Sequence, residues 1–405
     1  MRAGLARLLL GQVLGQLCLV VAVPVLTRLM DPTEVGLFQL ASAIAVVAQP
    51  AATWCHEFRI PVAASPAEVA ALRRVGFAML TATTALCGAV ALGGALAASW
   101  DTAETALTTA LLLGAYAGTV LDNAVLIRAQ RRSALAARNL LSGVLGAGLQ
   151  IAAALLLGSA VALGVAVLVG RLAAIGLTRA STTPGERTGS VSLRGSLPAV
   201  GAQSIWVLSM QTMTLLATPF FGVVAAGYVG LAQRIAGAPT SLIGQALGQV
   251  AQSLLAPHVR ARDGQLRRAV LRQTAALGAL ASAVAVPLMV LAPRWAATLL
   301  GEQYATVGTV TAILAVPFAL QITAGPLTPL LIMVDRQTVF FRLQTLRALA
   351  AVLAVVGAGL LTRDFVTTCL VYAIAETASY AACLVVVQRE AGRSDATARA
   401  VHATA

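Results

Sequence analysis

The sequence predicts an all-α integral membrane protein of about twelve transmembrane helices arranged as two six-helix lobes, and three observations carry that prediction. The first is composition. Of 405 residues, 59% are hydrophobic and 11% charged, with mean hydropathy +0.86, where soluble domains carry about 25% charged residues. The second is the length of the apolar runs, which repeatedly reach the ~20 residues a helix needs to cross hydrocarbon about 30 Å thick. The third is the distribution of arginine, which alternates from one side of the successive runs to the other.

The spans fall in order at 5–29, 34–60, 69–98, 103–127, 135–158 and 160–180, then at 197–221, 224–256, 269–292, 305–331, 337–360 and 366–388. Arg2 and Arg7 precede the first span, and Arg59, Arg73 and Arg74 lie at the 2–3 connection. Arg128, Arg131, Arg132 and Arg138 mark the 4–5 connection, and Arg179, Arg187 and Arg194 the linker after span 6. Arg260, Arg262, Arg267, Arg268 and Arg272 follow span 8. Arg336, Arg342 and Arg347 follow span 10, and Arg389, Arg393 and Arg399 close the chain. These make 23 arginines on one side, against Arg28, Arg294 and Arg363 on the other. The positive-inside rule places the first side, with both termini, in the cytoplasm. A single misplaced span would scramble the alternation. Arg171 and Arg234 belong to neither side and fall near the middle of their spans.

The linker STTPGERTGSVSLRGSLP divides the chain into a lobe over 1–180, a linker over 181–196, a lobe over 197–388 and a cytoplasmic tail over 389–405. A shift of 191 residues aligns Gln12 with Gln203, Leu17 with Leu208, Thr27 with Thr218 and Gly36 with Gly227. Leu40, Ala41, Ile44 and Ala45 then meet Leu231, Ala232, Ile235 and Ala236. A six-span repeat keeps its topology, so the halves are expected to be related by an axis along the membrane normal, with a substrate path between them.

Several chemistries are excluded. All 28 basic residues are arginine, so there is no lysine for a phosphate loop or a Schiff base. The net charge of +13 is dispersed over short loops and follows membrane orientation, not a nucleic-acid surface. Cys18, Cys55, Cys87, Cys369 and Cys383 lack CxxC spacing, and neither a metal site nor a disulfide framework is expected. The first apolar run is long enough to span and lacks a cleavage site, so a cleavable signal peptide is not expected. Outer connections offer only Asp31, Glu34, Asp101, Glu104, Glu302 and Asp364, dispersed, which argues against a membrane-embedded enzyme.

The hairpin VPVLTRLMDPTEVGLFQLASAIA (23–45) resembles the first hairpin of the bacterial polysaccharide-unit flippases (Wzx-type) of the multidrug/oligosaccharidyl-lipid/polysaccharide exporter superfamily. The segment RAQRRSALAARNLLSGVLGAGLQIAAALLLG (128–158) is similar to their 4–5 connection and fifth helix. Residues 210–262 resemble their seventh and eighth spans, and 301–337 their tenth. The resemblance implies a MATE-like pair of lobes around a central cavity in a bacterial inner membrane. It implies transport of an isoprenoid-diphosphate-linked oligosaccharide from the inner to the outer leaflet, for O-antigen or other surface polysaccharide. The expected partners are that lipid-linked substrate, membrane lipids and polysaccharide polymerase or assembly proteins, with the chain acting as a monomer. No cofactor is expected beyond coupling to protons or sodium. The short tail leaves no room for the two extra spans of peptidoglycan-precursor flippases.

Arg234 is the leading candidate for the diphosphate, since a mid-membrane arginine costs about 2.5–3.5 kcal/mol and needs a cavity or a partner. Its planar fork suits phosphate, and Pro239, five residues on, would give the helix a place to flex. A structural pairing of Arg234 with Glu376 is the competing reading. Arg171 is a second candidate and Arg28 a third, although Arg28 also suits a helix C-terminus. Gln12, Gln16, Gln203, Ser204, Ser209, Gln211, Gln245 and Gln249 form polar stripes suited to sugar hydroxyls or to interhelical contacts. Glu376, Asp122 and the His56–Glu57 pair are candidates for ion coupling, with interfacial pairing to arginines as the plainer role for the last three. The glycine faces Gly143, Gly146, Gly148 and Gly237, Gly244, Gly248 read as close helix packing.

A drug-cation antiporter of the same superfamily would need an acidic, aromatic-lined pocket, and 4% aromatic residues disfavour it. A major-facilitator carrier lacks its charged 2–3 loop here. A glycosyltransferase or polymerase, and a non-transporting scaffold, are the readings from other classes.

Overall fold

The computed structural model describes residues 2–63, 65–178, 197–261, 263–334 and 336–404. Among them are twelve helices of 18 residues or more: α1 (Arg2–Leu29), α2 (Pro32–Thr53), α4 (Pro66–Leu96), α5 (Trp100–Arg128), α6 (Arg132–Leu156), α7 (Ala160–Leu177), α8 (Leu197–Phe221), α9 (Val223–Ala261), α10 (Leu266–Leu300), α11 (Ala305–Ala324), α13 (Gln337–Thr362) and α14 (Phe365–Thr404). Two one-turn helices, α3 (His56–Arg59) and α12 (Leu330–Met333), complete the set. Eleven of the long helices are apolar enough to cross a membrane by composition. The twelfth, α9, carries Arg234 and four glutamines in its run.

The helix starts follow from local chemistry. Asp31 caps α2 by accepting from Thr33 N at 2.8 Å, with Pro32 at the first helical position. Ser65 caps α4 by accepting from Glu68 N at 3.1 Å, with Pro66 behind it. Two caps come from another helix. Glu34 of α2 accepts from Ala160 N of α7 at 2.7 Å. Asp395 of α14 accepts from Leu266 N and Arg267 N of α10 at 3.0 and 2.9 Å. Orphan donors at a helix start are thereby satisfied and neighbouring helices tied together.

Two expected boundaries are corrected. A single span over 34–60 breaks at Trp54 and Cys55, both left-handed at φ 53°, so α2 ends at Thr53 and residues 56–62 form separate short helices. The segment from 389 on continues α14 as helix to Thr404 instead of leaving it as a tail, with Glu390, Ala391, Asp395 and Ala398 buried.

Contacts divide the chain into two compact units, Met1–Gly230 and Leu231–Ala405, so the division falls inside α9. The linker expected over 181–196 lies outside the described residues. In the first unit α1 packs on α6, α4, α2 and α7 all pack on α5, and α8 packs on α2. In the second, α10 packs on α11, and α14 packs on α11, α13 and α10. Small residues set these distances. A Cβ on Gly143 would lie 2.2 Å from Gly15 O, so α1 and α6 touch backbone to backbone. Gly148, expected on the same packing face, meets no atom within 4 Å, and neither does Gly237. Leu and Val side chains such as Leu96, Leu156 and Leu361 point outward and are 80% or more exposed, as a lipid-facing shell requires.

Two close approaches join positions paired by the 191-residue shift. A Cβ on Gly227 would lie 3.0 Å from Gly36 Cα, and these are partners under the 191-residue shift. Gln39 and Gly230, also related by that shift, meet in the same way. Both approaches lie within the first unit.

Candidate substrate and coupling sites

In the first unit Arg171 projects from α7 and its guanidinium carbon sits 4.7 Å from the centroid of the Tyr116 ring on α5. The Tyr116 hydroxyl lies 3.2 Å from Ser42 Oγ on α2. Three helices are thus joined through one aromatic ring, which holds the cation by its face and is itself fixed by a hydrogen bond. Among the described residues Arg171 forms no ion pair, and it is half-buried. A planar fork of donors stands there with no carboxylate paired to it among the described residues.

The second unit holds a different arrangement. Arg347 of α13 is 3% exposed and stacks 4.7 Å from the Tyr380 ring centroid of α14. Its Nε lies 3.6 Å from Glu376 Oε2, also on α14 and 4% exposed. Tyr372, Glu376 and Tyr380 follow at four-residue spacing and share one helix face. Glu376 Oε1 is buried with no hydrogen-bond partner among the described residues.

This corrects two expectations. Arg347 is not a loop arginine of the 10–11 connection but a buried residue of α13, and the partner of Glu376 is Arg347, not Arg234. A signal was present: Arg347 lies fifteen residues before the end of α13 and Glu376 eleven after the start of α14. Across a short turn these are similar depths. The count of basic residues by side took Arg347 with its neighbours Arg336 and Arg342 and so hid it.

Arg234 lies in α9, half-buried, in the second unit. Arg28 is exposed in the last turn of α1, where the helix dipole favours a cation. Gln12, Gln16, Gln203 and Gln211 are half-buried on α1 and α8. Ser209 is fully buried and donates to Trp206 O at 3.0 Å. The side chains of Pro239, Gln245 and Gln249, and the surroundings of Gly244 and Gly248, lie outside the described residues.

Asp122 is engaged at both oxygens, with Arg73 Nη2 at 2.9 Å and Arg138 Nη1 at 2.9 Å. Arg138 is fully buried; it also donates through Nη1 to Asn123 Oδ1 at 3.1 Å and through Nε to Thr178 Oγ1 at 2.8 Å. With an arginine on each oxygen, Asp122 clamps α4, α5, α6 and the end of α7 at the arginine-rich end of the unit. That geometry supplies a structural tie.

His56 is fully buried, and neither ring nitrogen has a partner among the described residues. Burial, aided by the charge of Arg59, pushes its pKa down to about 4, so the ring is neutral. Burial raises the Glu57 carboxyl, which a hydrogen bond from Thr53 partly offsets.

Residues 25–309 match the family described as "Polysaccharide biosynthesis protein". The chain belongs to that family. The matched range takes in Arg28, Arg171 and Arg234, and the Arg347–Glu376 pair lies beyond it. None of the curated proteins matches the sequence. The fold is similar to an inward-facing multidrug resistance MATE family transporter of the MOP superfamily, at TM-score 0.66 and 18% identity over 95% of this chain and 96% of that one. It is similar to the lipid II flippase MurJ in an inward closed conformation, at TM-score 0.62 and 10% identity over 98% and 91%. It is also similar to a MOP superfamily transporter from Pyrococcus furiosus, at TM-score 0.58 and 17% identity over 96% of each. The fold of this family member is therefore MATE-like.

Proposed function

We propose that this protein moves an isoprenoid-diphosphate-linked oligosaccharide from the cytoplasmic to the outer leaflet by alternating access, in the inner membrane of a bacterium with both termini in the cytoplasm. It supplies surface polysaccharide synthesis, works beside polymerase and assembly proteins, and performs no covalent chemistry of its own. Family membership supports a role in polysaccharide biosynthesis, and the MATE-like fold supports a transporter.

Arg171 carries the reading furthest. A half-buried cation held on Tyr116, with no ion pair among the described residues, is suited to an anion that arrives and leaves. A diphosphate accepts the guanidinium fork in bidentate fashion. Arg234 serves as a second contact, and the glutamines of α1 and α8 offer hydrogen bonds to sugar hydroxyls. Coupling to a proton or sodium gradient runs through Glu376, whose buried Oε1 lacks a hydrogen-bond partner among the described residues.

A MATE-like cation antiporter is the second reading, supported by the fold. Complementation separates the two. A bacterial strain lacking its own polysaccharide-unit flippase is given wild type, Arg171→Ala or Arg234→Ala at equal membrane abundance. Restored surface polysaccharide with wild type and its loss in both variants supports the flippase. Drug resistance conferred without polysaccharide, and insensitive to either arginine, contradicts it.

A further inference from the structure

A cavity of about 270 Å³ opens at the arginine-rich end of the second unit, away from Arg347 and Glu376 in sequence and lined by different residues. Its polar wall is Arg336, Glu390, Arg393, Ser394 and Thr397, and its apolar wall includes Met333 and Val334. Glu390 is 5% exposed and binds both arginines: Arg336 Nε lies 3.1 Å from Oε2, and Arg393 donates to Oε1. One buried carboxylate thus orients two guanidiniums, which are 53% and 70% exposed. Two cations against one anion leave the wall positive. Each fork has five donors, and Glu390 uses few of them.

We propose that this cavity binds the phosphate headgroup of an anionic membrane phospholipid. The chemistry fits in three respects. A pair of pre-oriented arginines is the arrangement that recognises phosphate through parallel hydrogen bonds. Basic pockets between transmembrane helices on the cytoplasmic side are where acidic headgroups bind, and the arginine distribution assigns this end to the cytoplasm. The volume is small against the ~300–1,000 Å³ of sites that enclose a whole drug-sized ligand, which suits a headgroup whose chains stay in lipid beside Met333 and Val334. Because α14 continues as helix past 389, its later turns bring Arg393, Ser394 and Thr397 to the cavity. Bound lipid would brace α14 against the segment that opens α13.

The test measures binding of fluorescent phosphatidylglycerol and of phosphatidylcholine to the full-length protein in detergent. Wild type is compared with Arg336→Gln and Arg393→Gln, each of which leaves Glu390 one arginine. Arg294→Gln, an exposed arginine at the other end of α10, controls for lost charge, and thermal unfolding without lipid confirms that each variant is folded. The expected result is selective phosphatidylglycerol binding, weakened at least fivefold in both cavity variants and unchanged in the control. Equal weakening in Arg294→Gln, or unchanged binding in both cavity variants, overturns the proposal. Competition by millimolar inorganic phosphate or glycerol phosphate with no lipid preference would assign the cavity to a soluble anion and also overturn it.

Discussion

Arg171 in the first unit and Arg347 in the second share one geometry and differ in one group. Each lays its guanidinium 4.7 Å from the centroid of a tyrosine ring on a neighbouring helix. Arg347 also has Glu376 at 3.6 Å, whereas Arg171 has no ion pair among the described residues. The ring positions the cation in both places, and the carboxylate decides what the cation can do. A neutralised arginine is part of the packing; an uncompensated one retains an affinity for anions.

The comparison breaks most sharply at Glu376. Glu376→Ala leaves Arg347 as a buried charge without its carboxylate, and loss of one partner of such a pair costs about 3–5 kcal/mol. Thermal unfolding in detergent should show a large drop, mostly recovered when Arg347→Met is added. Equal stability of Glu376→Ala and wild type would remove the distinction between the two arginines.

The reciprocal change imports a counterion into the first unit. Tyr116→Glu should leave the protein folded and abolish polysaccharide rescue, because the anion site is then internally filled. Rescue at wild-type level would show that Arg171 does not meet the substrate. Tyr116→Phe is milder, keeping the ring and losing the bond to Ser42, at about 0.5–1.5 kcal/mol. It should reduce transport less than Arg171→Ala does.

A smaller effect sharpens the comparison with a neutral base. His56 is held neutral with a pKa of about 4 in the folded protein against 6.5 unperturbed. Between these values the unfolded chain binds the proton and the folded one does not, so stability falls as pH drops from 6.5 toward 4. His56→Leu should flatten that slope in unfolding curves taken across the interval. An unchanged slope would mean that other groups produce it.

The helical architecture was legible because hydrocarbon imposes one length and one polarity on every span. Arg171 was legible for the same reason: a charge inside an apolar run stands out. Arg347 also falls inside an expected span, 337–360, but counting it with its neighbours Arg336 and Arg342 assigned it to the connection before that span. Pairing of Asp122 with arginine was legible as its plainer role, but which arginines was not, since Arg73 and Arg138 lie 49 residues before it and 16 after it. Breaks such as Trp54–Cys55 depend on backbone conformations that no glycine or proline announces at those positions.

The central claim is that Arg171 meets the diphosphate of the cargo. Its most direct test is binding of an isoprenoid diphosphate, and of the matching monophosphate, to purified wild type and Arg171→Ala that unfold at similar temperatures. The account predicts tighter binding of the diphosphate by wild type and at least a tenfold loss in the variant, with little change for the monophosphate. Equal diphosphate affinity in the two proteins would contradict it.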